Sequence, residues 1–197
     1  MAYPSVSGPY GLIPINLIGG QVFASATRQI PIATNSSTAI YFGDVVKLAN
    51  TGTLAKDTGT DAATPVGVFL GCSYTDPTYG KTFRQYYPGT TNITDVVAYV
   101  QDDPDALFKV AVVSTGTNIS YVTRANVGEN AVLVQTAGST ITGDSKVAVS
   151  STTGTTSTWP LRIIDVVPET QSSAGSYTEI VVKWNQGMHQ YLNPTGV

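Results

Sequence analysis

Gly43-Asp44-Val45-Val46-Lys47-Leu48 is followed, after a Thr/Gly/Asp loop, by Pro65-Val66-Gly67-Val68-Phe69-Leu70-Gly71. Further along the chain the pattern returns. Gly143-Asp144-Ser145-Lys146-Val147-Ala148 precedes a Thr/Ser/Gly loop and then Pro160-Leu161-Arg162-Ile163-Ile164-Asp165-Val166-Val167. Each copy reads as a turn, a short strand, a polar hairpin-like loop and a mostly apolar strand. The doubled pattern predicts two related small β-barrel or β-sandwich modules. Neither copy carries a recognisable catalytic group, so the chain is expected to bind or to build.

Outward from these copies the strand signal continues. Val, Ile, Tyr and Thr cluster at residues 21–27, 38–42, 95–101, 107–114, 120–123, 131–135 and 178–185, as half-buried strands require. Period-two alternation is clearest at the last of these, with Ile180, Val182 and Trp184 on one face. Helical periodicity is nearly missing. One short helical turn is expected at residues 103–108, where Pro104 can take the first helical position behind Asp103. The predicted organisation is an extended arm at 1–20, a first module at 21–115 and a second at 116–197.

Two segments stand out as candidate contact surfaces. Residues 1–20 contain no charge, and Pro4, Pro9 and Pro14 rule out a regular helix. Two readings of this arm remain open. It is a strand tucked onto its own domain, or it reaches another subunit through Tyr10, Leu12, Ile13 and Leu17. Residues 71–94 hold Tyr74, Tyr79, Phe83, Tyr86 and Tyr87 among Pro and Gly. These aromatics either roof the first module or face a partner.

Composition narrows the function. Only 12% of the 197 residues are charged, about half the usual share of roughly 25%. The surface is therefore rich in Thr, Ser, Asn, Gly and Tyr, which suits packing against other protein. The ten Lys and Arg are scattered and the net charge is −3, so nucleic acid is not an expected partner. Without a basic start and an uninterrupted apolar run, no secretory signal or membrane helix is expected. The chain reads as one made in the cytoplasm and not embedded in a membrane.

Candidate chemistry is sparse. Cys72 is the only cysteine and His189 the only histidine, fewer than the usual zinc ligand set. No Gly-x-Ser-x-Gly elbow accompanies them. Asp95, Asp102, Asp103 and Asp105 form one acidic cluster, but its spacing is not that of a calcium loop. A turn with a capping Asp is the simpler reading. No catalytic residue, metal or cofactor is expected.

The run Gly43–Leu48 with Pro65-Val66-Gly67-Val68-Phe69 resembles the β-domain of tailed-bacteriophage head decoration proteins of the lambda type. Three longer stretches resemble the capsid cement proteins of marine and freshwater phages: Pro14-Ile15-Asn16-Leu17-Ile18-Gly19-Gly20, Leu70-Gly71-Cys72-Ser73-Tyr74-Thr75-Asp76-Pro77, and Asp102-Asp103-Pro104-Asp105-Ala106-Leu107-Phe108-Lys109-Val110. That second resemblance covers nearly the whole chain. It implies a non-enzymatic virion protein on the outer capsid surface that clamps neighbouring major capsid subunits. It further implies self-assembly as a homotrimer, although two modules per chain also suit a dimer. The alternative is a receptor- or carbohydrate-binding module of a tail spike or fibre, in which Tyr and Trp would stack on sugars.

Overall fold

The β-branched and aromatic runs do become strands. A computed structural model describes residues 6–24, 26–90, 92–170 and 176–196. In chain order the strands are β1 (Ile13–Leu17), β2 (Arg28–Pro31), β3 (Val45–Leu48), β4 (Leu54–Lys56), β5 (Gly67–Asp76), β6 (Gly80–Arg84), β7 (Val97–Gln101), β8 (Ala106–Val113), β9 (Asn130–Val134), β10 (Ala148–Gly154), β11 (Leu161–Val166) and β12 (Glu179–Trp184). Among the described residues the helical elements are two single 3-10 turns, Arg124–Asn126 and Pro168–Thr170. The protein is all-β.

Two sheets account for the strands. The first has the order β2-β7-β5-β3-β4, with β6 added to β5. A single parallel bridge between Ile32 and Leu54 joins its outer strands. The second sheet closes on itself, because β8 pairs with both β10 and β12 around the order β8-β10-β9-β11-β12. Closure makes a five-stranded barrel, but β10 meets β8 only at Val112–Val113, which leaves the 106–109 edge of β8 open to another strand. Phe108, Val110 and Val112 alternate into its core, facing Ile180, Val182 and Trp184 from β12. The 179–184 alternation thus works as expected.

Several expectations need correction. Residues 13–17 are a strand of the chain's own barrel: β1 lies antiparallel to β8 with Ile13 opposite Lys109. Leu12 is fully buried in the barrel core. The arm is tied down because its apolar residues find a partner face within the same chain. Residues 1–5 lie outside the described residues. The chain passes from the second sheet to the first after β1 and returns at residues 102–105, with β8 already in the second sheet. No helical turn forms at 103–108. Asp103 instead accepts the Asp105 amide at 2.8 Å, an Asx turn that leads directly into β8. The described residues of 21–27, 38–42 and 120–123 make at most isolated bridges, at Val22, Ile40 and Phe42.

The doubled sequence pattern is not a doubled topology. In the first copy β3 and β5 pair directly, Val45 opposite Val68. In the second copy β9 separates β10 from β11. There β10 has been captured in parallel by β8, Val149 opposite Val112.

Candidate functional site

The two Gly-Asp turns meet each other. Phe42 donates its amide to the Gly143 carbonyl at 3.0 Å, and Ser145 donates to the Phe42 carbonyl at 2.9 Å. Gly43 allows residues 10–12 to pack closely against the first of these turns. Its φ is +86°, and a Cβ there would lie 3.0 Å from the Tyr10 carbonyl oxygen, so a side chain would be both strained and crowded. Asp44 sits at the centre, fully buried. Its carboxylate accepts from Tyr41 N at 2.9 Å, Lys56 Nζ at 2.8 Å and Ser145 Oγ at 2.6 Å. The first motif therefore holds the second by a side-chain hydrogen bond between sheets.

Other seams reinforce this one. Gln190, beyond β12, brackets Leu48 of β3: its Oε1 accepts the Leu48 amide at 2.6 Å and its Nε2 donates to the Leu48 carbonyl at 3.1 Å. Gln135 Nε2 reaches the carbonyls of Asp57 and Gly59 at 3.1 and 3.0 Å. The two sheets are joined as one scaffold.

The aromatic segment divides. Tyr74 and Tyr87 are buried in the first sheet's core, ring edge to ring face with centroids 6.5 Å apart. Tyr87 Oη donates to the Ser36 carbonyl at 2.7 Å. These two roof the core and offer no surface to a partner. Tyr86 stacks on Tyr41 at 5.5 Å and is half-buried. Tyr79 and Phe83 differ: they are 78% and 71% exposed on the β5–β6 hairpin. The second strand of this hairpin gives no strand signal in the sequence, because Gly80-Lys81-Thr82-Phe83-Arg84 is short and two of its five residues are charged. In the arm, Ile13 and Leu17 are half-buried along β1. Tyr10 is half-buried too and donates its hydroxyl to Glu179. Burial and Glu179 together raise the Tyr10 pKa well above the usual phenol range.

The titratable candidates sit in the packing. Cys72 is buried on β5, and burial pushes its thiol up to about 12, with Arg84 opposing. That is the reverse of an activated thiolate. His189 is buried as well. Its Nδ1 accepts the Tyr191 amide at 3.3 Å. Burial lowers its pKa, and the neighbouring Val66 backbone opposes this without reaching hydrogen-bonding geometry. Cys72 and His189 fall in different parts of the packing and form no pair. The acidic residues are dispersed among separate partners. Asp95 accepts from Thr75, Asp102 pairs with Arg28 and Tyr191, and Asp105 pairs with Lys183. Among the described residues no group of three His, Cys, Asp or Glu is placed to share a metal ion, and no helix is long and apolar enough to cross a membrane.

The arrangement offers a braced β-scaffold with exposed aromatics at one hairpin. Compared with models of protein families, with curated protein sequences and with solved structures, the chain matches none of them.

Proposed function

We propose that this chain is a non-enzymatic virion protein, a cement or decoration protein that binds the outside of a phage head and clamps neighbouring major capsid subunits. The observation that carries this reading is the β5–β6 hairpin. It presents Tyr79 and Phe83 to solvent on a scaffold whose two sheets are joined by buried hydrogen bonds. Exposed aromatics on a rigid support are the usual anchors of protein interfaces. Rigidity keeps the ordering cost of docking low. The low charge of the surface and the sequence resemblance to phage cement proteins support the same reading.

The mechanism is mass action. A subunit that binds the assembled shell and not separated capsid proteins stabilises the shell, and many copies on one particle add avidity. The test is co-sedimentation of the purified chain with expanded heads. Tyr79→Ser with Phe83→Ser should abolish binding while the melting temperature stays within about 4 °C, because each exposed substitution moves stability by less than about 0.5 kcal/mol. Full head binding by this double variant would exclude the hairpin as anchor. A quantitative gel of particles should show hundreds of copies; a few dozen would favour a tail-borne receptor-binding module.

A further inference from the structure

A cavity of about 330 Å³ opens between β11, β12 and the segment after β12, lined among others by Ile18, Arg162, Ile164, Trp184, His189 and Leu192. Its charge is unusual for this protein. Among the described residues every Lys and Arg except Arg162 and Lys146 lies within 4.0 Å of a carboxylate. No Asp or Glu lines the cavity. Arg162 is also held in place. Its Nε donates to Asn130 Oδ1 at 3.0 Å and its Nη2 to Asn185 Oδ1 at 3.3 Å. Asn185 is fixed in turn, since its Nδ2 donates to the carbonyls of Ser157 and Trp159, each at 3.0 Å. A guanidinium has five N–H donors, so most of the Arg162 fork remains free. Neutral amide oxygens orient the cation without cancelling its charge.

Two buried polar atoms without a hydrogen-bond partner among the described residues belong to residues lining this same cavity: Trp184 Nε1 and His189 Nε2. Indole nitrogen only donates. Because His189 Nδ1 accepts from Tyr191, the imidazole proton falls on Nε2, another donor. Both nitrogens are buried and give a ligand no direct contact, so the donor the cavity presents is the Arg162 guanidinium, and its aliphatic walls include Ile18 and Leu192, both about half exposed.

We propose that this cavity is a binding site for a carboxylate carrying a short branched aliphatic group, with Arg162 pairing the carboxylate and Ile18, Ile164 and Leu192 enclosing the aliphatic part. Such a group is offered both by the C-terminal residue of a protein chain and by a free short-chain acid. The site does not depend on the capsid reading: it is defined by binding in solution, and head binding is a separate measurement.

The probes are N-acetyl-leucine, which imitates a chain terminus, isovalerate as a free acid, and N-acetyl-leucinamide as the uncharged counterpart. Binding is followed by calorimetry and by the Arg162 Nε resonance at constant ionic strength. N-acetyl-leucine should saturate at about millimolar concentration, as expected for a ligand of its size, and the amide should not bind. Arg162→Gln should weaken binding at least tenfold, and Lys146→Gln, which removes the other unpaired cation, should leave it unchanged. If Arg162→Gln lowers the melting temperature, Ile18→Asp gives the same answer from the opposite wall, by repelling the anion without touching Asn130 or Asn185. Tighter binding of N-acetyl-leucine than of isovalerate identifies a chain terminus as the source; the reverse identifies a free acid. Equal binding of the amide, equal loss in Lys146→Gln, or no saturation by either acid would overturn the assignment.

Discussion

Replacing Asp44 by Ala tests whether the buried carboxylate is the joint between the two sheets. The side chain is fully buried and accepts three hydrogen bonds, from Tyr41 N, Lys56 Nζ and Ser145 Oγ. Its removal orphans the ammonium of Lys56 and the Tyr41 amide. Breaking a buried ion pair by removing one partner costs about 3–5 kcal/mol. Lys56 is 13% exposed and can recover part of its hydration, so about 3–4 kcal/mol is expected. Ser145→Ala removes one hydrogen bond to a charged acceptor, about 1.5–3 kcal/mol. It also removes the acceptor of the Val147 amide. At about 2–4 °C per kcal/mol for a chain of this size, Asp44→Ala should lower the melting temperature by roughly 6–16 °C. Ser145→Ala should lower it by roughly 3–12 °C by the same conversion. The two changes share one hydrogen bond, so the double variant should lose less than their sum by at least about 1 kcal/mol. Urea unfolding at neutral pH, followed by tryptophan fluorescence and by circular dichroism, measures all three. Additive effects, or an Asp44→Ala variant within about 1 kcal/mol of the parent, would refute the idea that this carboxylate couples the sheets.

Three further outcomes are expected. Gly67→Ala should cost at least about 3 kcal/mol in the same urea assay, since a Cβ at Gly67 would lie 2.0 Å from the Gln101 carbonyl oxygen of β7 and neither backbone can yield as a side chain would. Cys72 should resist a thiol reagent at pH 8 in native buffer and react at once in denaturant, because burial holds its pKa at about 12; rapid native labelling would contradict the packing of β5. His189 should make the fold acid-sensitive. Its folded pKa is below its ordinary 6.5, so above 6.5 both states are neutral and the residue adds no pH dependence. As pH falls below 6.5 the unfolded chain takes up the proton first, and stability declines by at most about 1.4 kcal/mol per pH unit until the folded pKa is reached. A His189→Gln variant should lack this component below pH 6.5, which paired melting curves can check.

Much of the fold could be read from the residues in order, because strand formation is local. The β-branched runs at 45–48, 97–101, 107–113, 131–134 and 161–166 and the alternation at 179–184 each signal a strand through their own side chains, and the structure pairs them. The residues that would be exposed could not be read so. Tyr74, Tyr79, Phe83 and Tyr87 look alike in sequence, yet Tyr74 and Tyr87 are buried and Tyr79 and Phe83 are not. For Tyr74 and Phe83 the hairpin register decides, with Tyr74 opposite Thr82 and Ser73 opposite Phe83, and a one-residue shift would exchange the faces; Tyr79 lies in the turn and Tyr87 bridges Ile40. The uncharged opening segment gave no sign of whether it serves its own barrel or a neighbour. Only the free edge of β8 at 106–109 settles that Ile13–Leu17 pairs at home. The two Gly-Asp copies were visible as a repeat, but a repeat does not say which strands will be neighbours. That Asp44 would bind Ser145 of the other copy depends on a parallel approach of two turns distant in sequence. Long-range pairing of this kind is chosen by how the whole chain closes its edges and buries its polar groups, and no single stretch of residues carries it.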